Sequence, residues 1–207
     1  MKTLVAIPCM DMVHTQFMQA LLGLRRVGEV TVTMTVSTLV QNARNLLAKQ
    51  AVDEGFDRVL WLDSDMVFEP DLMERLSADL DSGKEFVTGI YRKRKPPFTP
   101  TIYSDVGLYV ENVLVYPKAT CMEEYPKDDL FQIQACGFGA VMHTVDLLKE
   151  VGARFGPPFA MLPSFGEDIS FCMRCTELGK ELWADPTIKL GHIGLFPVDD
   201  EFVKNRV

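Results

Sequence analysis

One short stretch constrains the fold more than any other. Val59-Leu60-Trp61-Leu62 is an unbroken apolar run, short and rich in β-formers. A run without alternation fits a strand buried on both faces, as in a parallel sheet covered by helices. It ends abruptly in Asp63-Ser64-Asp65. Carboxylates at the C-terminal end of a parallel strand stand in the crevice where open α/β sheets bind ligands. Two so close repel each other unless a cation lies between them. Hard oxygen donors suit Mg2+ or Mn2+, ions that commonly also hold a substrate's phosphates. The stretch therefore points to a divalent-metal and diphosphate site. A polar turn leading into the next helix is the plain alternative.

The flanking sequence supplies the layers. Residues 3–7 read as a first strand ended by Pro8, with a loop from Cys9 to His14. Phe17, Met18, Leu21, Leu22 and Leu24 fit one apolar stripe of a helix running to about Arg26. Residues 30–36 alternate Val or Met with Thr as a half-buried strand, and residues 43–51 form a second helix. Strand, helix, strand, helix, strand opens a doubly wound, mostly parallel α/β sheet with helices on both faces. Residues 85–90 are a further strand, leaving into the basic Arg92-Lys93-Arg94-Lys95 and then Pro96-Pro97. Residues 103–116 read as a small β-hairpin, 130–135 as a strand, Cys136 to Gly139 as a tight turn, and 144–151 as a helix. The irregular stretch 154–164 is long for a compact domain, which marks it as functional. Gly166 opens a helix to about Leu178. Residues 181–184 and 187–190 are short strands, His192 sits in a glycine-flanked loop, and a polar tail follows.

Bulk properties narrow the classes. At 207 residues the chain reads as a single domain, 1–207. A net charge of -8 argues against coating nucleic acid through bulk positive charge. No apolar run approaches the ~20 residues of a membrane span. The opening MKTLVAIPCM reads as a strand rather than a signal peptide. Five cysteines, an odd number without scaffold spacing, point to reduced thiols and a cytoplasmic setting. Cys172-x-x-Cys175 falls inside a helix with no second pair, so buried thiols are expected rather than zinc.

Several residue types sit where chemistry would use them. Glu167 and Asp168 open a helix, where acids offset the helix dipole or act as a general base. Arg44, with Asn45, falls in the expected first turn of its helix. A cation is out of place there unless it binds a diphosphate or pairs with an acid. Residues 92–95 are a solvated charge run, a diphosphate cover or a contact for an anionic acceptor. Gly137 and Gly139 let backbone approach a sugar, or only make the turn.

Taken in order, ARN, WLDSDM, VTGIYRKRKPP, CGFGAVM, GEDISFC and KLGHIG resemble the small GT-A-type glycosyltransferases, family 2-like, including single-domain phage and bacterial members. The resemblance covers nearly the whole chain. It implies a GT-A-like domain with a nucleotide-sugar-binding half, 1–95, and an acceptor-side and catalytic half, 96–207. It implies that Asp65 binds Mn2+ or Mg2+, with Asp63 contacting the ribose or metal water and His192 completing the shell. It places the donor base against Ile7, Pro8 and Cys9, the donor against Arg44, and the sugar pocket at Gly137, Phe138 and Gly139. Asp168 and Glu167 become the base or the acceptor contact. The implied reaction moves a sugar from a nucleoside-diphosphate sugar, UDP-sugars first, to a hydroxyl on a glycan, small molecule or modified DNA base. The setting is the cytoplasm, the host's if the chain is phage-encoded.

Rival readings remain open at this point. Asp63-Ser64-Asp65-Met66-Val67 also matches the Asp-x-Asp-x-Val of haloacid-dehalogenase-like phosphatases, with Asp63 as nucleophile. That nucleophile normally follows the first strand, and here two strand–helix units precede it. A non-catalytic nucleotide-sugar binding module is a third reading, but the acids and His192 are all present, so loss of catalysis has no support. A nucleotidyltransferase would show a glycine-rich loop after the first strand, where Pro8 to His14 has no glycine.

Overall fold

The computed structural model describes residues 1–111 and 114–194. Residues 112–113, within the expected hairpin, and the expected polar tail, 195–207, lie outside the described residues. The chain folds as α/β around an eight-stranded sheet. Its elements are β1 (Lys2–Cys9), α1 (Thr15–Gly23), β2 (Glu29–Val36), α2 (Val40–Asp53), β3 (Arg58–Leu62), β4 (Met66–Phe68), α3 (Leu72–Asp81), β5 (Phe86–Ile90), β6 (Ile102–Glu111), β7 (Leu114–Cys121), β8 (Phe131–Ile133), β9 (Ala135–Cys136), β10 (Ala140–Thr144), α4 (Val145–Phe155), α5 (Glu167–Glu177) and β11 (Leu182–His192). The sheet order is β2-β1-β3-β10-β5-β11-β4, with β8 also on β11. Strands β2, β1, β3, β5 and β11 run one way; β10, β4 and β8 run against them. The hairpin β6–β7 and β9 form a separate antiparallel sheet. Strands from both sides of residue 95 thus interleave in the main sheet.

The apolar run fills the centre as expected. Val59, Leu60, Trp61 and Leu62 are fully buried, because β3 lies between β1 and β10 with an apolar cluster on each face. Leu60 and Leu62 face α1 and α3; Trp61 faces α2, α4 and α5.

Several expectations shift. β1 continues past Pro8 to Cys9. It pairs with β3 only as far as Ala6, and proline is tolerated on the one-sided stretch beyond. α1 ends at Gly23, so Leu22 points outward and is exposed. α2 starts at Val40, which puts Arg44 in its second turn. β10 was not expected; its Ala-Val-Met run inserts antiparallel between β3 and β5, straight after the glycine turn. The two late strands are one strand, β11, whose register shifts between Asp185 and Lys189. His192 therefore ends a strand rather than sitting in a loop. The stretch 154–164, marked as functional, is anchored to the core by one buried residue. Phe159 is buried, stacks on Phe171 at 4.8 Å, and its N–H donates to Asn45 Oδ1 at 3.0 Å. Cys172 and Cys175 are free, buried thiols.

One buried polar pair stiffens the sheet. Trp61 Nε1 donates to His143 Nε2 at 2.7 Å. Indole can only donate, so Nε2 accepts, and Nδ1 donates to the Thr144 carbonyl at 2.9 Å. His143 is thereby neutral, and burial pulls its pKa down to about 4. The unfolded chain binds this proton near 6.5, so the stability held above that pH drains as pH falls toward 4. His143→Leu leaves Trp61 without its acceptor and should cost about 1–3 kcal/mol at pH 7. Urea unfolding should show that gap shrinking by about 2 kcal/mol at pH 5, because only the native protein carries the depressed histidine. A gap independent of pH would refute the neutral assignment.

Candidate functional site

The carboxyl ends of β1 and β3 open into a polar cleft of about 580 Å³. A larger groove, about 840 Å³, runs between α2 and α4 past Leu46, Val52, Leu148 and Pro157. It is mostly apolar and gathers no catalytic groups, so the chemistry belongs to the smaller cleft.

The Asp-x-Asp turn is pinned by backbone. Asp63 N donates to the Gly139 carbonyl at 3.1 Å, and Met66 N to the Asp63 carbonyl at 3.1 Å. β4 begins at once, pairing Met66 with His192, and Ile193 N donates to the Asp65 carbonyl at 2.9 Å. That register is what carries His192, far away in sequence, to the side of Asp65. His192 Nε2 lies 3.5 Å from Asp65 Oδ2. Nδ1 lies 2.8 Å from the Arg92 carbonyl, which only accepts, so Nδ1 bears the proton. Burial opposes charging His192, but the Asp65 hydrogen bond and the Arg92 carbonyl leave its pKa raised. Burial likewise opposes the Asp65 charge, yet His192 and Arg94 hold its pKa below the usual value. Arg94 Nη1 donates to the same oxygen, Oδ2, at 2.8 Å.

Asp63 takes a different partner. Arg44 Nη2 donates to Asp63 Oδ1 at 2.7 Å, and Arg44 Nε to Glu167 Oε1 at 3.2 Å. The Arg44 side chain is 2% exposed. Its guanidinium also lies 5.1 Å from the Phe138 ring centroid. Burial disfavours the charge, but Asp63, Glu167 and Asp168 outweigh it and raise the Arg44 pKa. Nη1 stays buried without a hydrogen-bond partner among the described residues. The expected metal trio of Asp63, Asp65 and His192 therefore does not assemble. Among the described residues no group of three His, Cys, Asp or Glu is gathered to hold a metal ion. Physically, Asp63 sits beside a buried cation that needs it. What remains is Asp65 facing His192, a carboxylate and an imidazole whose electron pairs converge. That donor set fits a divalent ion whose other ligands are phosphate and water oxygens.

Asp168 borders the same cleft. Gly166 caps α5. A Cβ there would stand 2.7 Å from Asp168 Oδ1, so glycine makes the room in which the carboxylate folds back onto the Ile169 N–H, also at 2.7 Å. Burial, then the Glu167 charge, raises the Asp168 pKa to about 6. A carboxylate tuned there is suited to accept a proton near neutral pH.

Pro8, Cys9, Arg44, Asp63, Asp65, Glu167, Asp168 and His192 all border this cleft. Ile7, Gly137, Phe138 and Gly139 do not. Ile7 and Phe138 are core residues. The two glycines meet a ring instead of a sugar: a Cβ on Gly137 would collide with Tyr91 Oη, and one on Gly139 would lie 2.7 Å from Tyr91 Cε1. Sequence reasoning missed Tyr91 in this cleft, along with Met10, Ser37, Thr38, Val40 and Ser64. Tyr91 packs edge-on against His192, centroids 5.1 Å apart. The glycine pair opposite it was the available signal. Of the basic run, Arg94 reaches Asp65, Arg92 Nη1 donates to the Phe98 carbonyl, and Lys93 stands over the Tyr103 ring. Lys95 is exposed. Among the described residues no helix is long and apolar enough to cross a membrane.

No protein-family model matches the sequence, and no curated protein matches it. Solved structures do match in fold. A viral protein, A197 from STIV, superposes with a TM-score of 0.61 at 18% identity, over 96% of this chain and 87% of A197. S. aureus TarS 1-349 superposes with a TM-score of 0.55 at 15% identity, over 93% of this chain and 60% of that one. TarS is a GT-A-type glycosyltransferase. With its large, mostly parallel sheet, flanking helices and small separate antiparallel sheet, the chain has a GT-A-like fold.

Proposed function

We propose that the protein is a glycosyltransferase that moves a sugar from a nucleoside-diphosphate sugar, first a UDP-sugar, to an acceptor hydroxyl. The observation that carries this reading is one cleft bordered by two chemically distinct groups. Asp65 and His192 face each other, and Asp168, with a pKa near 6, borders the same cleft. A GT-A-like fold supports the donor class.

Asp65 and His192 would hold Mn2+ or Mg2+. The ion's chemistry is Lewis-acid neutralisation of the departing diphosphate. Pro8 and Cys9 border the cleft where the nucleotide base would rest. Arg44 holds Asp63 in the cleft wall. Asp168 takes the acceptor proton in an inverting reaction; in a retaining one it positions the acceptor. Glu167, next to it in sequence, pairs with Arg44. Arg94 borders the cleft, and with Arg92, Lys93 and Lys95 beside it in sequence the basic run would favour an anionic acceptor. The phosphohydrolase alternative needs Asp63 free as a nucleophile, whereas Arg44 occupies its Oδ1.

Calorimetric titration of nucleotide sugars with Mn2+, then with EDTA, tests the reading. We expect binding that needs the metal and that Asp65→Ala weakens by on the order of 100-fold, as for removal of one partner from a charged site. Absence of any nucleotide binding, with phosphate-ester hydrolysis that Asp63→Asn stops, would replace glycosyl transfer by the phosphatase reading.

A further inference from the structure

Arg94 occupies the atom that the cation would need. Asp65 Oδ2 accepts from Arg94 Nη1 at 2.8 Å while facing His192 Nε2 at 3.5 Å. The Asp65 side chain is 18% exposed and that of Arg94 51%, so the arginine reaches in from solvent over a carboxylate already sheltered. Its carrier loop is closed by backbone. Thr101 N donates to Tyr91 O, Lys93 N to Thr99 O, and Phe98 N to Lys95 O. Arg94 thus projects from a fixed platform. The same loop supplies the Arg92 carbonyl that holds His192 Nδ1. One short segment therefore orients one of the two facing donors and covers the other.

We infer that Arg94 is a resident counter-ion that gates the cleft, yielding Asp65 to a divalent cation when a diphosphate arrives. This rests on the cation reading of the site proposed above. A divalent ion at Asp65 and a guanidinium on the same oxygen are like charges at close range in a sheltered site, so they compete. A diphosphate changes the balance. Its oxygens match the guanidinium fork as well as a carboxylate does, and they also ligate the metal. Arg94 then moves from Asp65 to the diphosphate as the cation takes its place, with no proton or covalent step. The metal and the diphosphate bind cooperatively, and metal alone binds weakly. Before the donor arrives, Arg94 also keeps Asp65 from being an uncompensated, half-desolvated charge.

The test measures Mn2+ affinity without nucleotide, by electron paramagnetic resonance, for the native protein, Arg94→Ala and Asp65→Ala. Circular dichroism checks folding. Loss of a competitor should tighten Mn2+ binding by on the order of tenfold, within the usual range of coupling between sites. Adding UDP should close most of that gap, because the diphosphate draws Arg94 away in the native protein. Equal or weaker Mn2+ binding by Arg94→Ala, with Asp65→Ala abolishing binding, overturns the gate and leaves the cation site standing. Mn2+ binding in neither native protein nor Arg94→Ala, with or without UDP, overturns the cation site and the gate together.

Discussion

Asp168→Asn should lower the rate of sugar transfer by about 10²- to 10⁴-fold, the range for losing a positioned general base. Nucleotide-sugar affinity should barely change, because Asp168 makes no ion pair or hydrogen bond with Asp65 or His192 among the described residues. In the native protein, kcat/KM should fall about tenfold per pH unit below pH 6, where burial and Glu167 cause the carboxyl to hold its proton. The variant should also be more stable. Native Asp168 binds its proton more tightly folded, about 6, than unfolded, 3.8, so keeping it ionised above pH 6 opposes folding. Asparagine removes that burden, and we expect a gain of about 1–3 kcal/mol at pH 8 that fades as pH falls from 6 to 4. A slower but stabler enzyme is the mark of a strained catalytic group. A variant that keeps a tenth of its rate, or loses stability at pH 8, would leave Asp168 as a helix-capping acid only.

Different parts of this arrangement were legible in the sequence to different degrees, for physical reasons. Val59 to Leu62 and the two aspartates were readable because burial on both faces writes an unbroken apolar run, and its end is a topological fact. Asp168 was readable as a helix-opening acid, but its raised pKa depends on Gly166 and Glu167 folding around it. His192 was found by type, yet its partner is set by the Met66–His192 register, a non-local pairing that no local pattern encodes. β10 was missed because five residues after a glycine turn look like the start of the next helix. Thr144 is both the last strand residue and the N-cap whose Oγ1 accepts from Leu147 N. Gly137 and Gly139 were seen as glycines needing space, but sequence could not say whether a sugar or Tyr91 fills it. Arg44 was noticed for the right oddity, and of the two partners weighed for it, a diphosphate or an acid, the acids are the ones the structure shows. The helix begins one turn earlier than expected, so its charge answers buried acids rather than a helix end.

That charge should dominate the stability of the cleft. Arg44→Met keeps the apolar stem among Trp61, Phe138 and Phe159 but removes the cation between Asp63 and Glu167. Two carboxylates then face each other with no counter-charge, in a site already shielded from water. Breaking a buried pair from one side costs about 3–5 kcal/mol. Against a typical total of about 5–15 kcal/mol, that brings the protein close to unfolding at room temperature. The stranded acids can recover by taking up protons, so the deficit should shrink as pH falls from 7 toward 5. Replacing all three together, Arg44→Met with Asp63→Asn and Glu167→Gln, should restore most of the loss, since a neutral cluster leaves no uncompensated charge. Urea unfolding of the single and triple variants at both pH values reads this directly. If Arg44→Met alone unfolds within 1 kcal/mol of the native protein by this measure, the pairing is not structural. Arg44 would then be held in the cleft wall chiefly for a ligand, and the effect should appear as lost nucleotide-sugar affinity.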